Sequence, residues 1–225
     1  MRSSTVESGR GPGRIGRRLT APLILALAGL ALAGCAANTP DAPDASPEMV
    51  AQAAYRHDGP PAITLYTMVS NNSGAGAHSS LMINGSERVI FDPAGSVRHS
   101  RLAEREDVLY GVTPEIARFY ELAHARETYH VVVQRIEVSP EVAEQALQLA
   151  RTNGRVAQAF CTMATSGLLR KLPGFEGVGQ TFFPLALSKD FERLPGVETR
   201  RVYDNDGDDK TDAIQAFDQV VSAQN

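Results

Sequence analysis

Alternation and helical spacing divide the chain into recognisable segments from Ala62 onward. Residues 62–69 (AITLYTMV) and 77–83 (AHSSLMI) are apolar, β-branched runs that predict strands, and Asn84-Gly85 is a hairpin signal leading into a third strand over 87–92 (ERVIFD). A helix is predicted over 114–125, with Thr113 as N-cap, Pro114 at its first position and Ile116, Phe119, Tyr120 and Ala123 on one face. Residues 129–138 (YHVVVQRIEV) predict a strand, and Ser139-Pro140 opens a helix that Asn153-Gly154 closes after Thr152. A further helix begins at or just before Cys161, places Ala164, Leu168 and Leu172 on one face, and ends at Pro173-Gly174. A strand at 199–204 (TRRVYD) and a last amphipathic helix carrying Ile214, Phe217 and Val221 complete the pattern. Strands and helices mix without regular alternation, so the expected fold class is α+β with a mainly antiparallel sheet. No internal repeat interrupts the reading.

The N-terminus follows a different rule. Five arginines between Arg2 and Arg18 precede an uncharged apolar run over 19–34, which is too short for a spanning helix and ends in small residues. This is the layout of an export signal, with Arg17-Arg18 read as part of an ordinary basic leader. Leu32-Ala33-Gly34-Cys35 resembles the bacterial lipobox, which implies lipidation of Cys35 and a membrane anchor made of acyl chains. Ala36 stands where aspartate would signal inner-membrane retention, so the resemblance points to the outer membrane and a periplasm-facing domain. The Ala-, Pro- and Asp-rich stretch 36–61 reads as a semi-extended tether, and 62–225 as one folded domain.

Composition then narrows the function. The chain has 225 residues, 43% hydrophobic and 21% charged, with a net charge of −4. Loss of residues 1–34 would remove five basic residues and one acidic one, bringing the net charge near −8. Such a surface is repelled by nucleic-acid phosphates and anionic headgroups, which excludes a nucleic-acid partner and leaves membrane association to the anchor. The two cysteines, Cys35 and Cys161, would form the obvious disulfide; lipidation of the first leaves the second as a lone thiol.

A thiol at a helix start is poised for ionisation, because the first N–H groups and the helix dipole favour negative charge. A lone helical cysteine is nonetheless most often a small core hydrophobe, and catalysis requires a base. Of the five histidines, His57 falls in the tether, His99 in a polar loop, His124 near a helix end where a dipole contact is expected, and His130 at the start of a strand. His78 differs. It opens a strand directly after the small-residue run Asn71 to Ala77, which leaves room around its ring. With a three-residue hairpin loop Asn84-Gly85-Ser86, Ile83 pairs with Glu87 and His78 lies opposite Asp92; a loop of two or four residues puts Phe91 or Pro93 there instead. An acceptor opposite the ring would fix the tautomer that serves the thiol.

Gly76-Ala77-His78-Ser79-Ser80-Leu81, then Phe91-Asp92-Pro93-Ala94-Gly95, then Phe160-Cys161-Thr162 opening a helix resemble the circularly permuted papain-like proteins of the NlpC type, in which the histidine strand precedes the cysteine helix. The segment Leu168 to Leu194, with Pro173-Gly174-Phe175 and Thr181-Phe182-Phe183-Pro184, is similar to the tail of those domains. The resemblance implies a papain-like fold and a lipid-anchored cysteine hydrolase of the cell envelope. Cys161 would be nucleophile, His78 general base and Asp92 the orienting acid, acting on an amide bond through an acyl-enzyme. The implied substrate is a peptidoglycan peptide, or a lipid amide or ester, since permuted relatives resembling lecithin:retinol acyltransferase move acyl groups on lipids. Phe160 stands where relatives often carry a polar residue, which makes Tyr66 the candidate second oxyanion donor beside the Cys161 N–H. Without a second donor the domain would be a non-catalytic binding scaffold.

No cofactor or metal is required by this chemistry. The acidic run Asp204 to Asp209 fails the EF-hand spacing, since Gly207 at the sixth position would put Val202 at the first, and it reads as a solvated turn. Gly74-Ala75-Gly76 lacks the lysine and helix start of a phosphate loop.

Overall fold

The computed structural model describes residues 43–95 and 97–222. The export signal, Cys35 and the first part of the expected tether lie outside the described residues, as does the side chain of Val221.

The compact unit begins at Asp44, earlier than the boundary expected at residue 62. Ser46 caps a short helix, α1 (Pro47–Ala53), by accepting the Met49 N–H, with Pro47 in the first turn where its missing N–H costs nothing. The stretch read as a tether is bonded to the sheet over most of its described length. The Ala45 N–H donates to the Glu104 carbonyl at 2.7 Å, the Arg88 N–H to Tyr55 at 2.8 Å, and the Asn84 amide to the carbonyls of Gly59 and Pro60. Proline and alanine content signals extension where nothing is available to pair with; here an otherwise open strand edge and turn supply the partners.

Seven strands form one antiparallel sheet: β1 (Ala62–Ser70), β2 (Gly76–Asn84), β3 (Arg88–Phe91), β4 (Ala103–Arg105), β5 (Val108–Tyr110), β6 (Tyr129–Glu137) and β7 (Glu198–Val202), in the order β4-β5-β3-β2-β1-β6-β7. The remaining helices are α2 (Pro114–Leu122), α3 (Pro140–Arg151), α4 (Cys161–Leu169), α5 (Pro184–Glu192) and α6 (Thr211–Ser222). None of the helices among the described residues is long and apolar enough to cross a membrane.

Period-two alternation sends the two side-chain sets of each strand into two separate cores. Leu65, Leu81, Ile83, Val89 and Phe91 pack with Leu147 of α3, Leu168 and Leu169 of α4, and Leu187 and Phe191 of α5. On the other face Tyr66, Met68, Ile90, Val131 and Val133 pack with Phe119 and Tyr120 of α2 and Phe217 of α6. The sheet is thus the middle of three layers, and α4 lies on the opposite face from α2.

The β2–β3 hairpin keeps a three-residue loop, but it is Gly85-Ser86-Glu87, so that Asn84 pairs with Arg88 and Leu81 with Phe91. The expected pairing of Ile83 with Glu87 is therefore displaced: Ile83 faces Val89. Continued toward the strand end, this register sets Ser80 across from Asp92 and makes His78 a diagonal neighbour of that residue. The shift amounts to two positions on the partner strand, and a two-residue shift preserves the face.

Candidate active site

His78 sits beside an irregularity that aims it. Met68 pairs with His78 and Val69 with Gly76, so Ala77 is an extra residue bulged out of β2 immediately before the histidine. The imidazole Nε2 lies 2.6 Å from Asp92 Oδ1 across the diagonal, within reach for a long side chain on the same face.

Asp92 is fixed from several directions. Its backbone N–H donates to the Asp107 carbonyl at 2.8 Å, and its own carbonyl accepts the Gly95 N–H across the Pro93-Ala94 turn. Ala94 occupies the left-handed region at φ 68°, a conformation that costs a residue with a Cβ about 1–2 kcal/mol. The Tyr120 hydroxyl, fully buried, donates to Asp92 Oδ1 at 2.8 Å and lies 2.7 Å from Ser80 Oγ.

The thiol arrives from the opposite layer. Ala159, at φ 69°, turns the chain into α4, and Phe160 is the N-cap, with no side-chain hydrogen bond to the helix. Cys161 is the first residue of α4 and 8% exposed. The interface between α4 and β2 is made of small hydroxyl residues that let helix and strand approach closely. Ser79 Oγ meets Thr162 Oγ1 at 3.1 Å, and Thr165 Oγ1 donates to the carbonyls of Ser79 and Cys161.

This convergence perturbs both ionisable groups. Burial opposes the imidazolium of His78, but the charge and hydrogen bond of Asp92, reinforced by Cys161, raise its pKa to about 10. Burial likewise opposes the Cys161 thiolate. The hydrogen bond and charge of His78, the Ser79 N–H and the Thr162 hydroxyl outweigh it and bring the thiol down to about 7. A thiolate–imidazolium pair is therefore the favoured state between about pH 7 and about pH 10, and the two values belong to the pair.

Tyr66 takes no part. Its hydroxyl donates to Met82 Sδ at 3.6 Å, and Met82 lies four residues along β2 from His78, about 13 Å in an extended strand. Its buried ring packs against Tyr120, and burial pushes its hydroxyl well above the usual range. The expectation of Tyr66 as an oxyanion donor is corrected on that ground: its polar atom is turned away from the thiol. The Cys161 N–H, among the first N–H groups of α4, has no intrahelical acceptor and remains available for that role.

His124 belongs to the site, although its position near a helix end suggested only a dipole contact. Its Nδ1–H donates to the Tyr120 carbonyl at 2.8 Å, which is such a contact, and its ring also stacks over His78 at 6.1 Å with 17° between planes. Burial lowers its pKa to about 3 and keeps it neutral. His124 lies two residues beyond the end of α2, and its four-residue spacing from Tyr120 within the helix expected over 114–125 was the available signal. The other histidines are engaged elsewhere: His99 with Phe119, Phe217 and Asp218, His130 with Asn71 and Tyr203, and His57 beside Tyr55. The acidic run near residue 206 accepts hydrogen bonds from Glu127 N–H, Thr128 and Arg126.

Lys210, at the start of the last helical segment, is partly buried, which lowers its pKa, while the Asp92 charge acts in the opposite sense. It adds a positive group to the same side of the sheet. Comparison with protein-family models, with curated proteins and with solved structures finds no match for this chain.

Proposed function

We propose that this chain is a cysteine hydrolase that cleaves an amide bond through an acyl-enzyme, with Cys161 as nucleophile, His78 as general base and acid, and Asp92 as the group that orients the imidazole. The observation that carries the reading is the lowered thiol beside a histidine whose other side is held 2.6 Å from a buried carboxylate. Three groups from two layers meet in the order that acyl transfer requires.

In the reaction the Cys161 thiolate attacks the carbonyl carbon, and the oxyanion gathers against the Cys161 N–H. His78, as imidazolium, gives its proton to the leaving amine as the C–N bond breaks, leaving a thioester. Water then attacks the thioester with neutral His78 accepting its proton. The carboxylic acid leaves and the thiolate–imidazolium pair is restored. The papain-like, permuted NlpC-type fold and the envelope location through a lipid on Cys35 are part of the same proposal, resting on the sequence resemblance.

The test is direct. Iodoacetamide applied to the folded protein at pH 7.5 should alkylate Cys161 much faster than a free thiol of ordinary pKa, and His78→Ala should remove that advantage. A Cys161 that reacts only after denaturation would refute the reading. Release of product from purified sacculi or from lipid amides then separates the substrates that the resemblance implies.

A further inference from the structure

Six large apolar side chains stand exposed among the described residues, and three of them are phenylalanines at one place: Phe160 (48% exposed), Phe182 (51%) and Phe183 (72%). Phe160 directly precedes Cys161, and its ring meets that of Phe182 edge to face at 5.3 Å. Thr181 is bonded to α4 through Ser166 Oγ, which accepts its N–H at 3.2 Å. Pro184, next to Phe183, approaches so closely that a Cβ placed on Gly76 would lie 2.8 Å from its own Cβ, two residues before His78. The aromatic rim is therefore tied to both sides of the thiol–imidazole pair.

Two of these rings, those of Phe160 and Phe183, stand at helix starts, where hydroxyl residues serve elsewhere in the fold. α1, α2 and α3 begin on Ser46, Thr113 and Ser139, each accepting a backbone N–H from its own first turn. α4 and α5 begin on Phe160 and Phe183, with no side-chain cap. Among the five helices whose caps are described, the two without a side-chain cap are those that start beside the thiol, and aromatic surface is exposed there.

We infer that Phe160, Phe182 and Phe183 bind the alkyl chain of a fatty-acyl substrate whose carbonyl is presented to Cys161. The inference rests on the cysteine-hydrolase reading and names its substrate class. Rings of about 150–250 Å² each, exposed to this extent, leave on the order of 300 Å² of apolar surface. One amino-acid side chain lying against that surface covers only part of it, whereas an extended chain of eight or more carbons spans it. The three rings themselves carry no hydrogen-bond donor or charge, so a polar peptide lying on them would lose hydration without recompense.

The experiment compares kcat/KM for p-nitrophenyl acetate, p-nitrophenyl octanoate and the p-nitrophenyl ester of N-acetylphenylalanine, all below their aggregation concentrations. Octanoate should exceed acetate by about 30-fold or more, which requires burial of only a few methylenes, and should exceed the phenylalanine ester. Phe160→Ser and the double variant Phe182→Ser with Phe183→Ser should each cut the octanoate-to-acetate ratio about fivefold or more. Phe183→Ser on its own should at the same time raise the melting temperature by about 2–4 °C, because Phe183 has the extended backbone in which a serine caps a helix. Alkylation of Cys161 by N-octyl iodoacetamide relative to iodoacetamide gives the same ratio without turnover. A flat chain-length dependence in both assays, or preference for the phenylalanine ester, overturns the inference while leaving the hydrolase reading intact. No acetate turnover together with an inert thiol defeats both.

Discussion

The hydroxyl of Ser79 meets the hydroxyl of Thr162 at 3.1 Å, and these are the residues that immediately follow His78 and Cys161. One buried hydrogen bond thus sets the height of the thiol-bearing helix against the histidine strand. Thr162→Val should leave Ser79 Oγ unsatisfied and cost about 1–3 kcal/mol in denaturant unfolding, together with a slower rate of Cys161 alkylation. Ser79→Ala in the same chain should recover part of the stability, since both partners are then removed, without recovering the rate.

The pair at about 7 and about 10 makes a pH profile. The kcat/KM for an amide should rise as pH passes 7, where the thiolate forms, and fall as pH passes 10, where His78 loses the proton needed by the leaving amine. Asp92→Asn should lower the pKa of His78 and raise that of Cys161, narrowing the profile from both sides and reducing the maximum about 100-fold or more. Tyr120→Phe, which removes a donor to Asp92 Oδ1, should move the alkaline limb by less than Asp92→Asn does.

Acid should destabilise the fold through His124. Its pKa is about 3 in the folded chain and near 6.5 when unfolded, so the unfolded state takes up a proton first and stability falls as pH drops from 6.5 toward 3. The slope should approach 1.4 kcal/mol per pH unit, and His124→Gln should flatten it in urea titrations. His78, Asp92 and Lys210 act on the ring electrostatically, and His78 has the opposite linkage. Its raised pKa contributes stability that is complete below 6.5 and lost as pH rises through 10.

Gly111 tests whether residues 44–61 belong to the domain. It has φ 73°, and a Cβ there would stand 2.4 Å from the Ala53 carbonyl oxygen. Gly111→Ala should cost more than about 1–2 kcal/mol and expose α1 to limited proteolysis. An unchanged melting temperature would mean that α1 contributes nothing to stability.

Legibility of the sequence followed the locality of the physics. Hydroxyl caps and prolines at Thr113-Pro114 and Ser139-Pro140 located α2 and α3, because capping is decided within four residues. The β4–β5 hairpin was not legible: its two-residue turn is Glu106-Asp107, both at positive φ, where Asn-Gly is the readable signal. Asp107 tolerates that conformation while its carboxylate accepts the N–H groups of Ala94 and Val156, contacts far away in sequence. The nearness of His78 and Asp92 was readable from face alternation even though the paired residues were misassigned, since alternation survives a shift of two. The orientation of Tyr66 and the stacking of His124 depend on how α2 docks, and no local pattern encodes docking.

The two-layer origin of the site also has a consequence for biogenesis. His78 and Asp92 leave the ribosome well before Cys161, and they cannot lower its pKa until α4 closes on the sheet. In the unfolded chain the thiol has an ordinary pKa near 8.5 and is mostly protonated at neutral pH. A nascent polypeptide therefore carries a comparatively quiet sulfur, and its reactivity appears only on completion of folding.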